Sequence, residues 1–175
     1  MAHWSDRSDL IVERVQESFP GTVDEVIDFR GERTLVTLPQ HVRALCQFLC
    51  DELQFDQLQD IVADDVYPQY PRFAVSYHLY SLSHNDLLRV RALVEDPDEG
   101  PETVASVWPI ATWLETEVYD LMGVTFKGND KLRRLFLPED WQGHPLRKDY
   151  PLGYEEVQFS FNWKAIGTKK PHPRQ

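Results

Sequence analysis

The sequence predicts an α+β fold: a single two-layer domain, helices packed on a mixed or antiparallel sheet, followed by an extended C-terminal arm. Three observations carry this. Phe73, Val75, Tyr77 and Leu79 alternate with Ala74, Ser76, His78 and Tyr80, which is the period of a strand. Val42, Leu45, Cys46, Leu49 and Leu53 recur at i, i+3, i+4, i+7 and i+11, which is the apolar face of a helix. With 175 residues, 42% of them hydrophobic, the chain is long enough for one good core and short for two. No internal repeat or linker divides it. The boundary to expect falls where regular patterning stops, giving a core domain at 1–137 and an irregular binding segment and arm at 138–175.

The elements follow in order. Ser5 is placed to cap a first helix, in which Ile11, Val15 and Phe19 follow at steps of four beside Leu10, and Pro20-Gly21 ends it. Val23 to Phe29 and Glu32 to Leu38 read as strands joined by a hairpin turn at Arg30-Gly31. Pro39 opens the second helix, and Leu58 to Val62 forms a short strand. After the Phe73 strand, Ser83-His84-Asn85-Asp86 is turn chemistry. Leu88, Val90, Ala92 and Val94 then form a partner strand. Asp96 to Pro101 reads as a polar, exposed loop. Pro109 fits the first turn of a third helix, with Ile110, Trp113, Leu114, Val118 and Leu121 as its apolar stripe and Gly123 as its stop. From Leu132 to Pro151 the chain mixes basic, aromatic, Gly and Pro residues, with no helix or strand period after Pro138. Long irregular loops in compact domains are usually functional or disordered, and Trp141, Tyr150 and their apolar neighbours argue for order.

Composition excludes several classes of function. No apolar stretch is long enough to span a bilayer, and Met1-Ala2-His3-Trp4-Ser5-Asp6 lacks the basic start and apolar core of a signal peptide, so a cytoplasmic location is expected. The net charge of −11 argues against nucleic acid. The charge is uneven: residues 1–126 hold 8 Lys/Arg and 23 Asp/Glu, whereas residues 127–175 hold 10 Lys/Arg and 6 Asp/Glu. A cationic, aromatic last third on an acidic body implies either a second binding surface or a tail folded back onto the body. Cys46 and Cys50 share a helix face and read as core residues, and two cysteines cannot ligate a four-thiolate cluster.

Few residues offer chemistry. Glu115, Glu117 and Asp120 sit on the third helix, and Glu117 and Asp120, three apart, share a face. Paired carboxylates can serve acid–base work or a cation, but pairing with Arg133, Arg134, Arg147 or Lys148 downstream is the simpler expectation. His144, between Gly143 and Pro145, reads as a hydrogen-bonded loop anchor, since no second His or Cys stands at metal-ligand spacing. His78 reads as a sheet residue. No phosphate loop, dinucleotide fingerprint or nucleophile elbow is present. No catalytic, cofactor-binding or metal-binding residue is therefore expected in this chain.

The stretch from Trp108 to Tyr154 resembles the 30 kDa-type subunit family of respiratory NADH–quinone oxidoreductase, complex I. The resemblance rests on Trp108-Pro109, Trp113, Glu115-Thr116-Glu117, Tyr119-Asp120-Leu121-Met122-Gly123, Leu132-Arg133-Arg134-Leu135, Leu137-Pro138-Glu139-Asp140-Trp141 and above all Gly143-His144-Pro145-Leu146-Arg147-Lys148-Asp149-Tyr150-Pro151. Two positions depart from the pattern: Thr116 stands where the family usually has Arg, and Gly128-Asn129-Asp130 where it often has Gly-His-Pro. The resemblance implies a non-redox structural subunit of the hydrophilic arm. NADH, FMN, iron–sulfur clusters and quinone would belong to the wider complex, which couples electron transfer to proton translocation. The large quinone-site subunit and the subunit bearing the terminal cluster would be its partners, at the cytoplasmic face of the membrane and outside the bilayer. Trp113, Glu115, Glu117, Asp120 and Gly123 would form the signature helix. The interface would hold Trp141, Pro145, Tyr150 and Tyr154 as anchors, His144 with them, Arg133, Arg134, Arg147 and Lys148 as ion-pairing groups, and Phe159, Phe161 and Trp163 on the arm. Related subunits serve ferredoxin-fed and hydrogenase-type complexes. A reading from another class is a stand-alone hydrolase using Glu117, Asp120 and His144.

Overall fold

The computed structural model describes residues 3–150, 161 and 163–165. Its elements run α1 (His3–Ser18), β1 (Val23–Phe29), β2 (Glu32–Thr37), α2 (Val42–Asp51), β3 (Gln57–Asp65), β4 (Phe73–Ser81), β5 (Asp86–Val94) and α3 (Ala111–Met122). This is the order that the periodicities predict. The strands form one sheet in the order β1-β2-β5-β4-β3. Neighbours pair antiparallel except β2 with β5, which run parallel, so the sheet is mixed. That parallel pair needs a crossover, and α2, β3 and β4 supply it.

One core binds the helices to one face of the sheet. Ile11 and Val15 of α1, Val42, Leu45, Cys46 and Leu49 of α2, and Ala111, Val118 and Met122 of α3 join Leu35, Ile61, Val75, Tyr77, Leu79 and Val90 in a single cluster. The register places Thr34, Ser76, His78, Arg89 and Arg91 on the opposite face. There Arg89 donates to Thr34 Oγ1 at 2.8 Å and Arg91 pairs with Asp64 at 3.3 Å. The arginine side chains cover that face, so Thr34 and Ser76 are buried there while His78, Arg89 and Arg91 are half-buried.

Several local expectations need correction. Ser5 lies within α1 rather than capping it. β3 extends to Asp65, well past Val62, because Asp64 and Asp65 continue the ladder opposite Ala74 and Phe73. Pro39 begins a short 3-10 turn that leads into α2. Pro109 precedes α3, whose N-cap is Ile110. The loop at 96–101 is not wholly exposed: Gly100 and Pro101 are buried, and a Cβ on Gly100 would collide with the Thr125 carbonyl. The two cysteines keep to the core as expected, Cys46 fully buried and Cys50 half-buried against it.

The largest correction concerns α3. Its sheet-facing side is Ala111, Glu115, Val118 and Met122, and Thr116 and Asp120 are buried as well. Of the expected apolar stripe only Val118 is buried. Ile110 and Trp113 are 50% and 52% exposed, and Leu114 and Leu121 are half-buried. Periodicity assigned the helix correctly but placed its core face too far round: Val118 and Leu114 meet the core, whereas Ile110 and Trp113 do not. The reason is that two carboxylates are satisfied inside by hydrogen bonds.

Candidate interface segment and its anchor on the third helix

Asp120 organises the chain that follows α3. Its side chain is fully buried. Oδ2 accepts three successive backbone N–H groups, from Leu135, Phe136 and Leu137, at 3.0, 2.7 and 3.0 Å. Oδ1 takes the Arg134 guanidinium at 3.2 Å. Burial alone would raise the pKa of this carboxyl. The three amides and Arg134 outweigh it, and the pKa lies below the usual carboxylate value. Arg134 extends the lock further, donating to the carbonyls of Trp141 and Gly143 at 3.0 and 2.9 Å. The ion pair expected between the helix and the downstream arginines thus exists, but as a buried tether rather than a surface contact.

His144 is the loop anchor that its setting predicts. Nδ1 lies 2.9 Å from the Asp120 carbonyl. A carbonyl only accepts, whereas the Arg134 guanidinium, 3.3 Å from the same nitrogen, only donates, so the tautomer sets which of the two contacts Nδ1 makes. The ring stands edge-on to Tyr119, with centroids 6.0 Å apart. Burial lowers the His144 pKa, and Arg147 and Arg134 add to that effect. Gly123 makes the close approach possible. It stops α3 at φ +73°, and a Cβ there would lie 2.5 Å from His144 Cδ2 and collide with Arg147. Arg147 donates to the Met122 and Gly123 carbonyls at 2.7 and 3.1 Å, placing a cation at the negative end of the helix dipole.

A second anchor ties residues 147–149 to the loop between β3 and β4. Arg72 grips Asp65 with two bonds, at 3.0 and 2.7 Å, and pairs with Asp149 at 2.8 Å. Asp65 also accepts the backbone N–H groups of Tyr67 and Lys148. The Arg72 guanidinium holds the Asp65 carboxyl far below the usual range. Lys148 Nζ donates to the Tyr67 carbonyl at 2.9 Å. Arg72 and Arg147 both lie over the Phe73 ring, at 4.9 and 5.2 Å. Arg72 and Asp65 went unrecognised in the sequence. The signal available was an Asp followed seven residues later by an Arg across a Pro- and Tyr-rich loop, which does not show that the loop meets the C-terminal segment.

Glu115 carries a separate junction. It is fully buried and accepts from Thr103 Oγ1 at 2.6 Å, the Val104 N–H at 2.9 Å and the Asn129 amide at 2.9 Å. Desolvation raises its pKa against these bonds. Asn129, one of the two departures from the family pattern, here supplies a neutral donor. The other, Thr116, turns its hydroxyl to the Thr112 carbonyl at 2.6 Å. The carboxylates that sequence reasoning placed on a helix surface are therefore interior, except Glu117, which is half-buried and makes no ion pair among the described residues.

The remaining candidates fall into three groups. Arg134, Arg147 and Lys148 donate to the chain's own carbonyls, contacts that a segment folded back onto its own domain would make. Trp141, Pro145 and Tyr150 are half-buried in the segment, and the Tyr150 ring lies against Gly143. Arg133, Phe136 and Leu146 face outward, as do Phe161 and Trp163, the latter in helical backbone with residues 164 and 165. Tyr154, Phe159 and most of the expected arm lie outside the described residues. The hydrolase constellation does not assemble: the Asp120 carboxylate is enclosed by amides, and His144 meets the Asp120 carbonyl rather than an acid. Among the described residues no group of three or more His, Cys, Asp or Glu is arranged to hold a metal ion, and no helix is long and apolar enough to cross a membrane.

Comparison with known proteins gives a consistent answer. A family model described as the 30 kDa subunit of respiratory-chain NADH dehydrogenase matches residues 35–156. The C subunit of NADH-quinone oxidoreductase from Geotalea uraniireducens is 43% identical over 152 residues, covering 87% of this chain and 92% of the relative. The same polypeptide from Geobacter sulfurreducens is 46% identical over 140 residues, covering 79% and 86%. Among solved structures, the trypsin-resistant fragment 1–134 of Nqo5 is 33% identical with a TM-score of 0.60, covering 70% of this chain and 99% of that one. A chain of the archaeal membrane-bound sulfane sulfur reductase, 24% identical with a TM-score of 0.72 over 83% and 86% of the two chains, shares the fold. The chain with this mixed sheet, this buried-acid helix and this tethered segment belongs to the 30 kDa subunit family of respiratory-chain NADH dehydrogenase, a component of the peripheral arm of NADH-quinone oxidoreductase.

Proposed function

We propose that, within the peripheral arm of the oxidoreductase, this chain joins the quinone-site subunit to the neighbour bearing the terminal iron–sulfur cluster and contributes no catalytic centre of its own. It would sit at the cytoplasmic face of the membrane, with residues 1–137 as the core domain and residues 138–175 as the binding segment and arm. One observation supports this reading above the others. The segment 133–150 has almost no regular structure, yet two buried carboxylates, Asp120 and Asp65, hold it in one conformation. A rigid irregular surface loses little entropy on association and so favours tight assembly. Electron transfer would then belong to neighbouring chains, and this one would fix their relative position.

Trp141, Pro145, Tyr150, Tyr154, Phe159, Phe161 and Trp163 are the proposed anchors on that surface, with exposed Arg133 to pair across it and His144, Arg134, Arg147 and Lys148 beside it. Aromatic and Arg residues are the usual energetic centres of interfaces. Tagged chain recovered from gently solubilised membranes, cross-linked and analysed by mass spectrometry, should join to the quinone-site and cluster-bearing polypeptides and retain NADH-driven quinone reductase activity. Replacing Trp141 and Tyr150 together by Ala is expected to lower the recovered complex at least about tenfold. Full retention and activity of the double variant would reject these anchors.

A further inference from the structure

The third helix is inverted in polarity. Its carboxylates Glu115 and Asp120 point inward and are fully buried, while Ile110 and Trp113 point outward, half exposed. At 3.6 residues per turn, Ile110, Trp113, Glu117 and Leu121 fall within about 80° of arc, beside Leu114, which packs on the core. That arc lies between the flank on the sheet and the flank covered by the Asp120 tether. The seam from Ile110 to Leu121 is about 16 Å long at the rise of an α-helix. Exposed Leu146 continues it, since its N–H bonds the Leu121 carbonyl at 3.1 Å. Exposed Phe136 lies at the same end, held through its N–H to Asp120. An outward apolar stripe of this kind on a helix is informative, because scattered single hydrophobics are ordinary and contiguous ones are not.

Resting on the peripheral-arm reading above, we propose that this seam seats a helix of a neighbouring polypeptide of the complex, one with its own apolar seam and a lysine or arginine opposite Glu117. The i, i+3, i+7, i+11 spacing of Ile110, Trp113, Glu117 and Leu121 is the spacing by which helices pack side by side. Glu117 sets the charge of the occupant. It is half-buried in the middle of the stripe and makes no ion pair among the described residues, so covering it with a purely apolar surface would strand a carboxylate. A second copy of this chain is disfavoured for the same reason. A two-fold axis through the seam would bring the two Glu117 carboxylates together.

The test uses the whole complex purified from membranes. p-Benzoylphenylalanine is placed at position 113, and in a control at position 29 on β1, the sheet edge away from the β3 edge on which α3 packs, and the photo-cross-links are mapped. Position 113 should join to a helical segment of another polypeptide within one or two turns of a Lys or Arg. Glu117→Lys should lower the share of complex that carries this chain about tenfold. The melting temperature of the isolated chain should stay within about 2 °C, as for other surface changes. Reversing the partner's cation to Glu should restore retention. Cross-links from position 113 to residues 151–175 of the same chain, to a second copy, or to nothing while the wild type co-purifies would each overturn the proposal. Failure of the wild type to co-purify would instead overturn the peripheral-arm reading on which it rests.

Discussion

Asp120 shows how a single acidic residue can organise the stretch from Arg134 to His144. A buried carboxylate without partners is costly, and each oxygen must find donors. Here three consecutive amides and one guanidinium supply them. Asp120→Asn keeps the size but sets an NH₂ group against donors on at least one side. Losing one member of a buried ion pair costs about 3 kcal/mol or more, so the variant is expected to lose roughly that much in urea unfolding. An unchanged midpoint would mean that the segment is held by other contacts. The sequence showed Asp120 and Arg134 as potential partners. It did not show that the pair is interior, because exposure depends on what folds over a helix and not on its own spacing.

At the scale of elements, the loop between β3 and β4 and the segment 147–149 behave as one unit through Arg72. Its guanidinium fork meets two carboxylates at once, a geometry that an ammonium group cannot reproduce. Arg72→Lys should leave the sheet intact and loosen the unit. The Tyr67 and Lys148 amides, both bound to Asp65, are expected to exchange with solvent about tenfold faster, a change of roughly 1.4 kcal/mol in opening. Exchange unchanged at both amides would show that Asp65 holds them without help. The strands themselves were legible, β4 and β5 in particular, because alternation survives in any sequence whose strand has one face in the core. The face of α3 was not legible, since an apolar stripe reads the same whether it meets its own core or a partner.

Across the whole molecule, acid should release the C-terminal segment before the sheet. The His144 pKa is lowered in the fold, so the neutral ring contributes stability that is complete above about 6.5 and is lost as pH falls below it. The lowered Asp120 and Asp65 contribute above about 3.9 and lose their share below it. Glu115 has the opposite sign: its pKa is raised, so its burial becomes less costly as pH falls. Burial lowers the His78 pKa on β4 as well, but the β4–β5 ladder around it is paired along its whole length, so hydrogen exchange followed from pH 7 to 5 should rise first at residues 135–150 while β4 and β5 stay protected. Simultaneous loss in both would show that the two parts unfold as one. The family itself was legible in the run from Gly143 to Pro151, because its residue types are unusual and ordered. The order of elements and the α+β class were determined by local periodicity, which each segment carries by itself. Tertiary structure alone decided which acids are interior, which cations bond inside the chain and which apolar side chains stay exposed. Those outcomes depend on contacts between residues far apart in the chain, 83 positions in the case of Asp65 and Lys148, and no local pattern encodes such a contact.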